Sequence, residues 1–270
     1  MSMCIYHGNC ADGFGAAWVV RKALGEIEFH AGKYQDPPPD VTGKDVVMVD
    51  FSYKRPVLLE MAEKANSILI LDHHKTAVED LVDLPENVTA KFDMGHSGAM
   101  LTWEHFFPGQ EPPPLLLHIE DRDLWRFALQ NTRQIQANVF SFPYDFQVWD
   151  TLMETAPAAL ATEGEAIERK HFKDIRELLG VTTRDMVIGG HRVPVANLPY
   201  TMSSDAGHEL AKGRPFAACY WDTPEGRVFS LRSSDDGADV AEVAKQYGGG
   251  GHRNAAGFRV SFAQAQAFEV

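Results

Sequence analysis

An α/β fold built on a parallel sheet, followed by a smaller second α/β domain, is what this 270-residue sequence predicts. Three observations predict it. Apolar, β-branched runs at 3–6, 46–49 and 68–71 alternate with segments of helical spacing, and each run is followed at once by His or Asp. The last third then changes to hairpin-forming strands and a run of glycines.

Taken in order, Met3–Tyr6 reads as a strand, Gly15–Leu24 as a helix, Val46–Val49 as a strand, Pro56–Ala65 as a helix and Ile68–Leu71 as a strand. Right-handed crossovers make such strands parallel neighbours. Residues 35–40, rich in proline, and Gly43-Lys44 are loop chemistry. Pro112–Pro114 opens a helix over Leu115–Phe127 that delivers acids near its end. The aromatic stretch that follows, with Phe140, Phe142, Tyr144, Phe146 and Trp149, and Trp125 with it, reads as core packing or a domain contact, with base stacking as the alternative.

Ala161–Leu179 carries Ile167, Ile175, Leu178 and Leu179 among charges, the pattern of an exposed helix with one apolar stripe. Gly180 and the following Val181-Thr182-Thr183 are expected to stop it and form a hinge, giving domains at 1–182 and 183–270. In the second domain, strands are expected at Arg192–Leu198, Phe216–Trp221 and Arg227–Leu231, the last two joined as a hairpin across 222–226, with helices at Ser204–Lys212 and Val240–Gln246. The run from Tyr247 to Phe258 reads as a glycine loop entering a helix-compatible Ala255-Ala256-Gly257.

Composition narrows the function. A net charge of −13 argues against long duplex nucleic acid as partner, which needs many Lys and Arg contacts to successive phosphates. No run approaches the roughly 18–20 apolar residues of a membrane span. Cys4, Cys10 and Cys219 have no Cys-x-x-Cys spacing, so neither a disulfide framework nor a thiolate zinc site is expected. The expectation is a soluble cytoplasmic protein, monomer or homodimer, whose phosphate-bearing substrate, if it has one, is short.

His7, Asp50 and Asp72-His73-His74 each follow a predicted strand, so parallel pairing brings them to one sheet edge, where open α/β sheets bind ligands. His and Asp together suit Mn²⁺, Mg²⁺ or Zn²⁺. Asp121 or Asp123 could complete that set. In the second domain the N–H groups of Gly249, Gly250 and Gly251, with His252 and Arg253, suit an anion, and Arg232 is a second candidate contact. A cleft between the domains would join the two.

These residues resemble the DHH phosphoesterases: Asp12-Gly13 in a first motif, Asp50 after a strand, and Asp72-His73-His74 after the next. The glycine run with His252, Ala255, Ala256 and Gly257, preceded by Ser230-Leu231-Arg232-Ser233, is similar to the DHH-associated C-terminal domain, as in the RecJ and nanoRNase-like superfamily. The resemblance implies two divalent ions, typically Mn²⁺, with Mg²⁺ or Co²⁺ as substitutes. Asp12, Asp50, His73 and Asp121 would hold one ion and His7 with Asp50 part of the other, Asp50 bridging them. His74 would face the phosphate, Asp72 would orient an imidazole, and Arg232, Gly250, Gly251 and His252 would grip the substrate.

The chain departs from that family at Cys10-Ala11-Asp12, where a second acid is usual. Cys10 is then either a thiolate ligand favouring softer metals or a small neighbour beside an extra water. The expected activity is 3′→5′ hydrolysis of short single-stranded oligonucleotides, with small nucleotide 3′-phosphates as further substrates. Alternatives within the family are 3′-phosphoadenosine 5′-phosphate, linear or cyclic dinucleotides and polyphosphate; outside enzymes, it is a non-catalytic nucleotide sensor.

Overall fold

The computed structural model describes residues Ser2–Glu269. The chain divides into two compact units, Met1–Glu168 and Arg169–Val270.

The first unit runs β1 (Ser2–His7), α1 (Ala11–Leu24), β2 (Glu28–Gly32), β3 (Asp45–Val49), α2 (Arg55–Ala62), β4 (Ser67–Asp72), α3 (Lys75–Asp80), β5 (Val88–Phe92), α4 (Gly98–Phe106), α5 (Pro114–Asp123), α6 (Thr132–Val139) and α7 (Phe146–Glu154). A long helix, α8 (Pro157–Thr182), begins in this unit and ends in the second. The five strands form one parallel sheet in the order β2-β1-β3-β4-β5. Strand alternation sorts its apolar residues between two cores. Cys4, Val47, Val49 and Leu71 pack with α1, α4 and α5, whereas Met3, Ile5, Val46, Met48, Ile68 and Ile70 pack with Leu58 and Met61 of α2. Such continuous apolar runs, covered on both faces, are the signature of a buried parallel sheet. The order reverses between β1 and β3, which places the topological switch beside His7 and Asp50.

The predicted strands and first two helices are present, and the sheet gains β2 and β5 at its edges. Both edge strands carry exposed polar positions and lack a long apolar run, which is why periodicity does not single them out. No helix among the described residues is long and apolar enough to cross a membrane.

The second unit continues from α8 with β6 (Thr183–Ile188), β7 (His191–Asn197), α9 (Ser203–Ala211), β8 (Ala217–Thr223), β9 (Gly226–Arg232), α10 (Val240–Lys245), β10 (Gly250–His252), β11 (Ala255–Val260) and α11 (Phe262–Gln266). Its sheet order is β10-β11-β9-β8-β7-β6, with β7 and β8 parallel and every other pair antiparallel. Three expectations change here. The long helix passes through Gly180 to Thr182, and β6 follows directly where a hinge was expected. The compact units separate at 168/169, inside α8, because Phe172, Ile175, Leu178 and Leu179 join a core with Ala196, Leu198, Ala206 and Cys219 of the second unit.

The third change concerns the glycines. Gly250–His252 is a strand whose residues pair antiparallel with Gly257, Ala256 and Ala255 in turn, and Ala255–Val260 is itself a strand instead of a helix start. A Cβ on Gly249 would sit 2.1 Å from the Gly257 carbonyl oxygen. Close strand approach therefore requires glycine there, independent of any anion.

Candidate metal centre

The sheet's carboxyl edge gathers acids and imidazoles from four segments. His7 ends β1, Asp50 follows β3 with a left-handed φ of 52°, and His73 and His74 follow β4. Asp12, in the first turn of α1, accepts hydrogen bonds from Gly98 N at 2.6 Å and Ala99 N at 3.0 Å, the free donors at the start of α4. Asp72 is fully engaged nearby: it accepts from Ser52 Oγ at 3.0 Å and His73 N at 2.8 Å, and pairs with His74 Nδ1 at 2.7 Å. His74 Nδ1 is thereby committed to Asp72.

Ligand atoms of Asp12, Asp50 and His73 lie within 4.8 Å of one another, and so do those of His7, Asp50 and His74. Asp50 belongs to both trios. His73 Nε2 faces three carboxylates, 3.0 Å from Asp50 Oδ1, 3.7 Å from Asp12 Oδ2 and 3.5 Å from Asp123 Oδ2. His7 Nδ1 stands 3.4 Å from Asp50 Oδ2, an oxygen that is buried without a hydrogen bond.

Charge crowding shows in the acidities. Burial pulls His73 towards its neutral form, but Asp50, Asp123 and Asp12 outweigh it and push the imidazole up to about 10. Burial likewise opposes ionisation of Asp50, yet His7 and His73 hold its carboxyl well below the ordinary range. For Asp12, burial and then Asp50 and Asp123 push the carboxyl well up. The Cys10 thiol is pushed well up by burial and by Asp50, Asp123 and Asp12, so it stays protonated beside them. Three carboxylates thus converge on the His73 ring nitrogen, a concentration of donor oxygens within 3.7 Å of one imidazole. A divalent cation fits this donor set: it would replace the proton on His73 and give the bare Asp50 oxygen a partner.

Of the two acids at the end of α5, the structure brings Asp123 to this cluster and turns Asp121 away. The Asp121 carboxylate instead accepts from Ala128 N at 2.8 Å, Leu129 N at 3.1 Å and Thr132 Oγ1 at 2.6 Å. Two positions along a helix are about 200° apart, so only one of the pair can face the sheet edge. In the second unit, Arg253 donates to the Asp235 and Gly237 carbonyls at 2.9 and 3.1 Å, which ties down the loop between β9 and α10. Arg232 is held by Ser230 Oγ at 2.9 Å, the Leu231 carbonyl at 2.8 Å and Ser204 Oγ at 2.8 Å.

Two contributors have little sequence signal. Tyr34 places its ring 5.4 Å from that of His7 and 5.8 Å from that of His74, while 42% exposed. Gly98 lets α4 approach, since a Cβ there would lie 2.4 Å from Asp50 Cβ. The one available cue is Ser97, an N-cap type residue ahead of an apolar run, which caps α4 through Met100 N.

A five-stranded parallel sheet followed by a second mixed sheet is a RecJ-like fold. RecJ from Thermus thermophilus in complex with Mn²⁺ matches with a TM-score of 0.54 and 15% identity, covering 99% of this chain and 50% of that one. A RecJ exonuclease bound to manganese matches at 0.52 and 15%, covering 99% and 88%. No family model matches the chain. The chain belongs to the family of the uncharacterized protein R106 of Acanthamoeba polyphaga mimivirus, with 32% identity over an alignment of 287 positions that covers 97% of this chain and 68% of R106.

Proposed function

We propose that the protein is a divalent-metal-dependent phosphoesterase that hydrolyses phosphodiester bonds of short single-stranded oligonucleotides in the 3′→5′ direction. The observation that carries this reading is the sharing of Asp50 between two ligand trios at the topological switch of the sheet. When bound, a pair of divalent cations, Mn²⁺ foremost, supplies Lewis acidity and charge neutralisation towards a phosphoryl group. Asp12, Asp50, His73 and Asp123 are the residues to hold one ion, and His7 with Asp50 the other. Asp72 fixes His74 through Nδ1, so that His74 Nε2 presents a proton to the phosphate or leaving oxygen. Its proton affinity supports this: burial opposes the charged form, but Asp72 outweighs burial and raises it. In the second unit, Arg232, His252 and the Gly249–Gly251 backbone are proposed to hold the substrate. The net charge of −13 favours a substrate with few phosphates.

The test is Mn²⁺-dependent turnover of two- to five-nucleotide RNA and DNA, beside 3′-phosphoadenosine 5′-phosphate, linear and cyclic dinucleotides and polyphosphate. Asp50→Ala is expected to lower turnover on the order of 10³-fold and to lose bound manganese. Cleavage confined to polyphosphate would overturn the nucleotide assignment, and tight nucleotide binding without turnover would overturn the enzymatic one.

A pH dependence follows from His73. Its proton, held up to about pH 10 in the metal-free site, must leave when a cation binds. Manganese affinity should therefore rise with pH, about tenfold per unit for each proton displaced. Titrations followed by electron paramagnetic resonance at several pH values check this, and a flat profile would count against a cation at His73.

A further inference from the structure

The segment joining α5 to α6 bends in an unusual way immediately after Asp123. Trp125 and Phe127 both take left-handed backbone conformations, with φ of 55° and 47°. Bulky aromatic residues rarely adopt such angles and do so only where their surroundings over-determine them. Here two sets of contacts do so.

The first is polar. Besides its carboxylate bonds to Ala128, Leu129 and Thr132, Asp121 accepts Arg126 N at 2.8 Å and Phe127 N at 3.2 Å on its carbonyl. The second is a column of alternating rings and cations. Arg133 lies 3.6 Å over the Phe127 ring and 5.8 Å from that of Trp125, and Arg122 lies 5.4 Å over Trp125 and 4.8 Å over Phe140. Trp125 is the middle member, so both arginines lean on one indole. Arg122 is the residue between Asp121 and Asp123.

We infer that Trp125 is a positioning residue for the metal centre: by anchoring Arg122 and Arg133 in this column it holds the left-handed turn that directs Asp123 towards His73. The inference rests on the metal-centre reading above. The same segment is tied to the ligand cradle on the other side, because Arg126 donates to Glu120 Oε1 at 3.2 Å while Glu120 Oε2 accepts Ser97 N at 3.0 Å, next to the Gly98 and Ala99 groups that hold Asp12. Asp12 and Asp123 are thereby set by connected parts, and Trp125 governs the part that belongs to Asp123.

The experiment compares manganese binding, by electron paramagnetic resonance and calorimetry, in the full-length protein and its Trp125→Ala, Trp125→Phe and Trp125→Gly variants. Trp125→Ala is expected to weaken binding about tenfold, in line with other residues that orient a ligand without touching the metal. Trp125→Phe, which keeps an aromatic face for both arginines, is expected to restore most of that loss. Trp125→Gly relieves the backbone angle yet removes the ring, so it should resemble Trp125→Ala in affinity. Parental affinity in Trp125→Ala, with only the melting temperature lowered, would overturn the inference and leave the metal-centre reading standing. Failure of the parent protein to bind manganese would instead overturn that reading, and the inference with it.

Discussion

Asp123→Asn is expected to lower turnover by about 10²–10³-fold while leaving the fold's stability nearly unchanged, whereas Asp121→Asn is expected to destabilise the protein by about 2–4 kcal/mol with a smaller effect on metal binding. The contrast follows from where each carboxylate goes. Asp123 is partly exposed and lies 3.5 Å from the His73 ring nitrogen, so neutralising it removes a ligand and one of the charges that draw a cation. Asp121 is buried and satisfies three donors, two of them backbone N–H groups of the turn. An asparagine in its place has one good acceptor oxygen and turns an N–H₂ towards groups that also donate. The expected drop in melting temperature is about 5–10 °C. Manganese affinity of Asp121→Asn should fall by no more than about tenfold, because Asp123 itself is retained and only its support is loosened. Calorimetric melting and metal titration of both variants decide the matter; a thermally intact Asp121→Asn that binds no metal would reverse the assignment.

That pair also marks the limit of what the sequence discloses. The sheet edge is legible because each ligand follows a buried strand: apolar runs fix the strands, parallel pairing aligns their ends, and His7, Asp50, His73 and His74 arrive together without any further information. Asp121 and Asp123 end a helix, and there the outcome turns on helix phase and on where Thr132, eleven residues away, offers its hydroxyl. Spacing alone carries neither. The glycine run is ambiguous for a different reason. Its composition suits an anion loop and a tight strand pair equally, and the close approach of β10 to β11 accounts for the glycines whichever role their N–H groups have. Cys10 is placed among the acids, as its motif implied, but burial and three carboxylates favour its thiol form, a balance set by long-range packing.

Gly98→Ala is expected to abolish high-affinity metal binding, lowering affinity at least about 100-fold, from the addition of one methyl group outside the ligand set. A methyl carbon at that position would fall 2.4 Å from Asp50 Cβ, 2.8 Å from Asp50 Cα and 2.9 Å from Asp12 Oδ2, all shorter than side-chain carbons tolerate. None of these is the free end of a flexible chain. Asp50 is pinned by its own N–H to the Leu71 carbonyl at 2.9 Å and by its left-handed backbone, so α4 must retreat. Retreat withdraws the Gly98 and Ala99 donors from Asp12, and Asp12 then loses both the bonds that aim it and the positive end of the helix. Both trios that contain Asp50 are disturbed at once, which is why the effect should exceed that of removing a single outer contact. Circular dichroism should show a folded protein with a melting temperature lowered by only a few degrees, since the overpacking is confined to one helix terminus. Manganese titration then reads the loss directly, and a Gly98→Ala protein that binds manganese like its parent would show that Asp12 is not held by α4 in the way its two short hydrogen bonds imply.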